Sequence, residues 1–173
     1  MLKLRKNKKG FTLVELIVVI EIMAVLAVSV AGVTVSQLNK QTNNSGATQA
    51  KLIADYVVQE LGANLDEITE TKQKTVGQTT TSVTAFKASA AGTTDTYGYV
   101  ILDNIRANMK NDKFEYIKGT DTDEKGKIKI EVFASDTSAN TIIDTVKITY
   151  IAKGTGKNTV YTVTADGVLT KVQ

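Results

Sequence analysis

The 173-residue chain contains no cysteine, histidine, proline or tryptophan, and each absence removes a class of chemistry. Without cysteine there is no disulfide, no thiolate nucleophile, no thiolate metal site and no lipid attachment at a lipobox. Without histidine, imidazole bases, His-Ser and His-Cys pairs and the commonest transition-metal ligand are gone. Without proline, wall anchoring through an LPxTG-type signal is excluded. Lys, Asp, Glu, Ser and Thr remain, but the usual catalytic apparatus does not. A binding or structural role is therefore expected, with no enzyme activity, no cofactor and no metal. The length suits one domain of modest core plus a targeting or spanning segment.

What is present is unevenly spread. The chain has 21 Lys+Arg against 18 Asp+Glu, a formal net charge of +3. Residues 1–10 hold Lys3, Arg5, Lys6, Lys8 and Lys9 and no acid. From Phe11 to Val35 the chain is apolar apart from Glu15, Glu21 and a few hydroxyl residues. A helix of roughly 25 residues is about 37 Å long, enough to cross a ~30 Å hydrocarbon core. The basic block labels its own side as cytoplasmic, so a single pass with the N-terminus inside is expected. An ordinary secretory signal cut near Ser29-Val30-Ala31 is one reading, and a retained apolar segment is the other. Signal-peptide cores span about 7–15 residues, shorter than this run. They have no reason to carry two carboxylates costing about 2.5–3.5 kcal/mol each near a bilayer centre. The retained segment is favoured.

The residues Lys8-Lys9-Gly10-Phe11-Thr12-Leu13-Val14-Glu15-Leu16 resemble the prepilin peptidase signal of type IV pilins and pseudopilins. In that family a short basic leader ends in Gly, an aromatic residue follows, and a Glu lies four residues downstream. The resemblance implies cleavage between Gly10 and Phe11 and N-methylation of Phe11. It implies a structural subunit that polymerises with itself, or in a mixed pilus, through its hydrophobic helix. Prepilin peptidase, an assembly ATPase and a platform protein are the implied partners. The cytoplasmic membrane and then a cell-surface filament are the implied locations. The implied fold is pilin-like and α+β: one long N-terminal helix packed on a C-terminal antiparallel sheet. A minor pilin, or a pseudopilin of a secretion or competence system, is the alternative within the family. A monomeric membrane-anchored binding domain is the alternative outside it.

Physical argument supports a role for Glu15. Cleavage creates a positive amine on Phe11 at the start of an apolar helix, and an unpaired buried charge costs several kcal/mol. A staggered neighbour's amine is the expected partner of Glu15; the alternative, not exclusive of it, is pairing with its own helix N-terminus. Glu21 departs from the family pattern. At 100° per residue it lies about 120° around the helix from Glu15. No Lys or Arg between Phe11 and Val35 satisfies it, so it is a possible second buried carboxylate, either neutral or paired on a neighbour. Around Gly32, helix is expected in the membrane, where backbone groups must be satisfied internally.

The expected organisation is a leader over 1–10, a spanning helix over 11–35, an amphipathic second half over 36–73 and a head over 74–173. The Asn-rich stretch around Asn39, Asn43 and Asn44, with Gly46, suggests a kink or short break. Ile53, Val57, Leu61, Leu65 and Ile68 then recur at three and four residues, one buried helical face ending near Thr69 to Gln73. Lys74 to Thr96 reads as a long polar connection with room for one edge strand. Tyr99 to Lys110 has helical spacing. Segments 114–118, 127–133, 145–151, 159–164 and 168–172 alternate as strands, with Asp166-Gly167 as a tight turn.

Three chemical motifs fail on spacing. Asp121, Asp123 and Gly126 suggest a Ca²⁺ loop, but Lys125 and Val132 stand where ligands belong. Lys153 to Asn158 lacks the glycine spacing and following helix of a phosphate loop. No nucleic-acid fold signature occurs, so nucleic acid is not an expected direct partner. Cleavage after Gly10 would remove five basic side chains, leaving 16 against 18 acids and a mature net charge of −2.

Overall fold

The computed structural model describes residues 10–90, 98–109, 116–118, 122–136 and 142–173. Two units divide the chain, Met1–Leu38 and Asn39–Gln173. Helix α1 (Leu13–Ala63) is 51 residues long and enters both. Good helix formers and the absence of proline let it run on. The break suggested by the Asn-rich stretch does not occur: residues 39–46 are helical. Their polar groups find partners instead. Asn43 donates through Nδ2 to the carbonyl of Lys153 (3.1 Å), and its Oδ1 accepts from the Lys153 amide (2.8 Å) and the Tyr150 hydroxyl (3.1 Å).

The helical stripe closes earlier than its periodicity predicts. α1 stops at Ala63, Asn64 leaves helical geometry with φ −132°, and α2 (Leu65–Ile68) adds a single turn. Leu65 is consequently 47% exposed, whereas Ile68 is buried. The helix expected through residue 73 is replaced by strand β1 (Thr69–Val76). Two causes act together. Gly62 and Asn64 are poor helix formers, and the Thr-rich sequence that follows favours extended backbone.

β1 pairs antiparallel with β2 (Thr79–Phe86) from Thr69↔Phe86 to Val76↔Thr79. The segment 74–86 is thus part of a hairpin rather than a connection. Gly77, with φ +64°, begins its two-residue turn, and only glycine takes that value cheaply. Ala85 and Phe86 are buried at its base, while most of the ribbon is solvated.

The helical spacing of Tyr99 to Lys110 corresponds to α3 (Val100–Asn108), which buries Ile101, Leu102 and Ile105. Lys110, expected within it, lies outside the described residues. The main sheet runs β3 (Tyr116–Lys118), β4 (Ile128–Phe133), β5 (Thr145–Tyr150), β6 (Thr159–Thr164) and β7 (Leu169–Lys171), in that spatial order. Phe114 and Glu115 of the expected first strand are outside the described residues. The four strands β4 to β7 are antiparallel as expected, but β3 joins β4 in parallel. Ile128, Ile130 and Val132 alternate inward with Val146, Ile148, Tyr150, Tyr161 and Val163. They share one core with Ala50, Ile53, Ala54, Val57 and Leu61 of α1. This is the α+β plan of a long helix followed by a largely antiparallel sheet.

The opposite face carries Lys129 and the cross-strand pair Glu131 and Lys147, with Lys147 Nζ 3.6 Å from Glu131. No disulfide is needed to fix the C-terminus. Val172 N donates to Val160 O (2.9 Å), and Val160 N donates to Gln173 O (2.9 Å).

Candidate functional site

The described part of the N-terminal motif is a short non-helical segment, residues 10–12, running into a capped helix. Gly10 and Phe11 precede α1, are non-helical and are exposed, Phe11 at 89%. Among the described residues, no atom lies within 4 Å of where a Cβ on Gly10 would stand. Both residues of the Gly10–Phe11 peptide are therefore exposed and outside the helix.

Thr12 and Glu15 form a reciprocal cap. Glu15 Oε2 accepts from the Thr12 amide (2.8 Å) and the Thr12 hydroxyl (2.9 Å), and Thr12 Oγ1 accepts from the Glu15 amide (3.3 Å). Leu16 N donates to Thr12 O (3.2 Å), the first bond of the helical ladder. This capping box satisfies orphan N–H groups and places the carboxylate at the positive end of the helix. Thr12 was given no role by sequence reasoning, although Thr-x-x-Glu before an apolar run is the signature of such a box. Both side-chain bonds fall on Oε2, so Oε1 has no partner among the described residues. The arrangement can accept an ammonium without giving up its cap.

Residues 13–35 expose their apolar side chains all around, from Leu13 and Val14 to Val33 and Val35. Among the described residues, α1 is the one helix long and apolar enough to cross a membrane, and it lies near the N-terminus. The two hydroxyls of residues 13–35 are satisfied within the helix. Ser29 Oγ donates to Val25 O (3.0 Å) and Thr34 Oγ1 to Val30 O (2.9 Å), the internal solution that hydrocarbon demands. Glu21 differs: it makes no hydrogen bond or ion pair among the described residues. Gly32 is helical and has open space around it.

The rejected motifs have structural uses. Asp123 Oδ1 accepts from Lys129 Nζ (2.9 Å) and Glu124 pairs with Lys127 (2.6 Å), so both carboxylates are engaged by cations of their own turn and strand. Asp121 lies outside the described residues. Lys153 to Asn158 is the loop joining β5 to β6.

Residues 5–33 match the family model described as the prokaryotic N-terminal methylation motif, the class III signal sequence of type IV pilins. No curated protein and no solved structure matches the chain. The match supports a type IV pilin- or pseudopilin-like precursor and membrane anchoring through the hydrophobic N-terminal helix. It covers the motif and not the head.

Proposed function

We propose that this chain is a structural subunit of a type IV pilus or related filament. Prepilin peptidase cuts it between Gly10 and Phe11, Phe11 is N-methylated, and residues 11–35 polymerise as the filament core. One observation carries the reading: the methylation motif leads directly into a helix whose apolar residues are exposed on every side. Such a surface is tolerable in lipid or against copies of itself, and not in water. Glu15 then sets register by taking the amine of a neighbour's Phe11 on its free oxygen.

The subunit waits in the cytoplasmic membrane with its N-terminus inside and is extracted into a cell-surface filament. Its partners are further copies of itself, the peptidase, an assembly ATPase and a platform protein, and it performs no catalysis. A second reading, a minor pilin or pseudopilin, is favoured by Glu21, a carboxylate without a partner inside the apolar run. Its abundance in sheared filaments separates the two.

The test has two arms. Mass spectrometry of the native protein should find a methylated Phe11 at the N-terminus; an intact Met1 or a start at Gly32 would overturn the proposal. Glu15→Ala should be cleaved normally yet be depleted from the sheared-filament fraction, and normal filaments would refute the register role.

A further inference from the structure

Four lysines from three separate segments gather around residues 39–43 of α1. Lys40 is five residues beyond Val35, so the chain cannot carry it more than about 18 Å away, whatever the local conformation. The β5–β6 loop docks on the same turn of α1. Asn43 holds Lys153 by two hydrogen bonds, at 3.1 Å and 2.8 Å. A Cβ on Gly154 would stand 2.9 Å from Asn39 Nδ2, and one on Gly156 would strike Asn43 Nδ2. The turn at Lys125-Gly126 is pinned there too, since Gly126 N donates to Ile151 O (2.6 Å) and the Lys153 stem crosses Gly126.

Lys40, Lys125, Lys153 and Lys157 are all exposed, and none forms an ion pair among the described residues. The two carboxylates beside them, Asp123 and Glu124, are held by Lys129 and Lys127. Among the described residues, the result is a cationic patch around Asn39 and Asn43 with no carboxylate left to offset it.

We infer that Lys40, Lys125, Lys153 and Lys157 form a collar that docks the head on anionic lipid headgroups of the outer face while the subunit is still in the membrane. The inference rests on residues 11–35 spanning the membrane and is independent of filament assembly. Folding explains how it coexists with the topology signal. The rule that keeps positive charge inside counts lysines close in sequence to the span. Of these four only Lys40 is close in sequence; the other three reach the site after the head has crossed and folded. Each lysine near an anionic surface favours the docked state about five-fold.

The absence of cysteine supplies the probe, because Thr155→Cys gives a single labelling site in the loop. The labelled full chain is placed in nanodiscs whose lipids carry a headgroup nitroxide quencher. Discs of phosphatidylcholine alone are compared with discs containing added phosphatidylglycerol. Quenching should be stronger in the anionic discs and fall as salt is raised. Lys40, Lys125 and Lys157 changed together to Gln should shift the docking ratio by on the order of a hundredfold. Lys153 is left in place because its stem packs on Gly126. The same change in net charge at Lys72, Lys87 and Lys171 should leave quenching intact. Equal quenching in both discs, or in the triple variant and the parent, would overturn the collar. A chain that elutes apart from the discs would overturn the span reading, and the collar with it, before any fluorescence is read.

Discussion

Gly46→Ala puts a methyl group where the Tyr150 ring already sits. A Cβ at Gly46 would approach three carbons of that ring below 3.0 Å, closer than real Cβ contacts essentially ever come. The ring has little freedom to retreat. Tyr150 is 1% exposed, and its hydroxyl donates toward Thr42 O (3.3 Å) and Asn43 Oδ1 (3.1 Å). Overpacking of this kind costs about 1–3 kcal/mol. Displacing the hydroxyl forfeits the one bond that its single hydrogen shares between these acceptors, worth about 0.5–1.5 kcal/mol. Against these, alanine is a better helix residue than glycine by about 1 kcal/mol. The net expectation is a loss of about 0.5–3.5 kcal/mol, decided by packing rather than by helix propensity.

The assay is a urea titration of the full chain in micelles, followed by near-UV circular dichroism of its tyrosines. With a slope of about 1–3 kcal/mol per molar urea, the midpoint should fall by roughly 1 M. Gly62→Ala is the control, because no atom lies within 4 Å of its Cβ position; it should hold or raise the midpoint. In a Tyr150→Leu background the Gly46→Ala penalty should largely vanish, a coupling expected only of residues in contact. A Gly46→Ala midpoint at or above the parent, matching Gly62→Ala, would refute the reasoning.

Three other perturbations test separate parts of the structure. Thr12→Val removes the capping box while leaving Glu15, and should cost the helix terminus about 0.5–2 kcal/mol; faster amide exchange at Leu13 to Leu16 in bicelles is the readout. Thr149→Val should stabilise the head by up to about 1 kcal/mol, because the buried Thr149 hydroxyl has no hydrogen-bond partner among the described residues; an unchanged or lower urea midpoint would count against it. Burial raises the Tyr150 hydroxyl above its ordinary pKa of 10.0, so the folded state disfavours the phenolate. The stability this gives is complete below pH 10 and is lost as pH rises through the folded value. An alkaline titration of the urea midpoint should therefore fall less steeply in Tyr150→Phe than in the parent.

Legibility in the sequence followed the range of the interactions involved. Ile128, Ile130 and Val132 alternate with charged residues, and a two-residue period needs no knowledge of the partner strand. The apolar run was equally plain, because a bilayer's thickness is an external constraint. The helix terminus was not plain. Ile68 continues the three-and-four spacing from Leu61 and is buried, so periodicity carried the helix past Asn64. What overrode it was local chemistry at Gly62, Asn64 and the Thr-rich segment beyond. The hairpin had a readable sign, Gly77-Gln78 between β-branched residues, but its strands bury little except at the base and show no apolar alternation. The parallel pairing of β3 and the Asn43–Lys153 dock had no local sign, because each joins segments whose proximity only the finished fold creates.

Asn43 also explains why an Asn-rich helix survives. Asparagine side chains ordinarily weaken a helix by competing for its backbone, and here that competition is redirected to the β5–β6 loop. A similar logic applies to Glu15 under the proposed function. Its cap contributes about 1 kcal/mol, whereas an ionised carboxylate without a counter-charge in a water-free core costs several. The cap alone therefore cannot carry the residue into a filament, and a cation must arrive at the free Oε1. Phe11's new amine is the cation that cleavage creates in every copy, and the apolar run supplies no Lys or Arg to compete with it. On this argument Thr12 orients the carboxylate and the neighbour neutralises it. Loss of Thr12 should then weaken assembly far less than loss of Glu15.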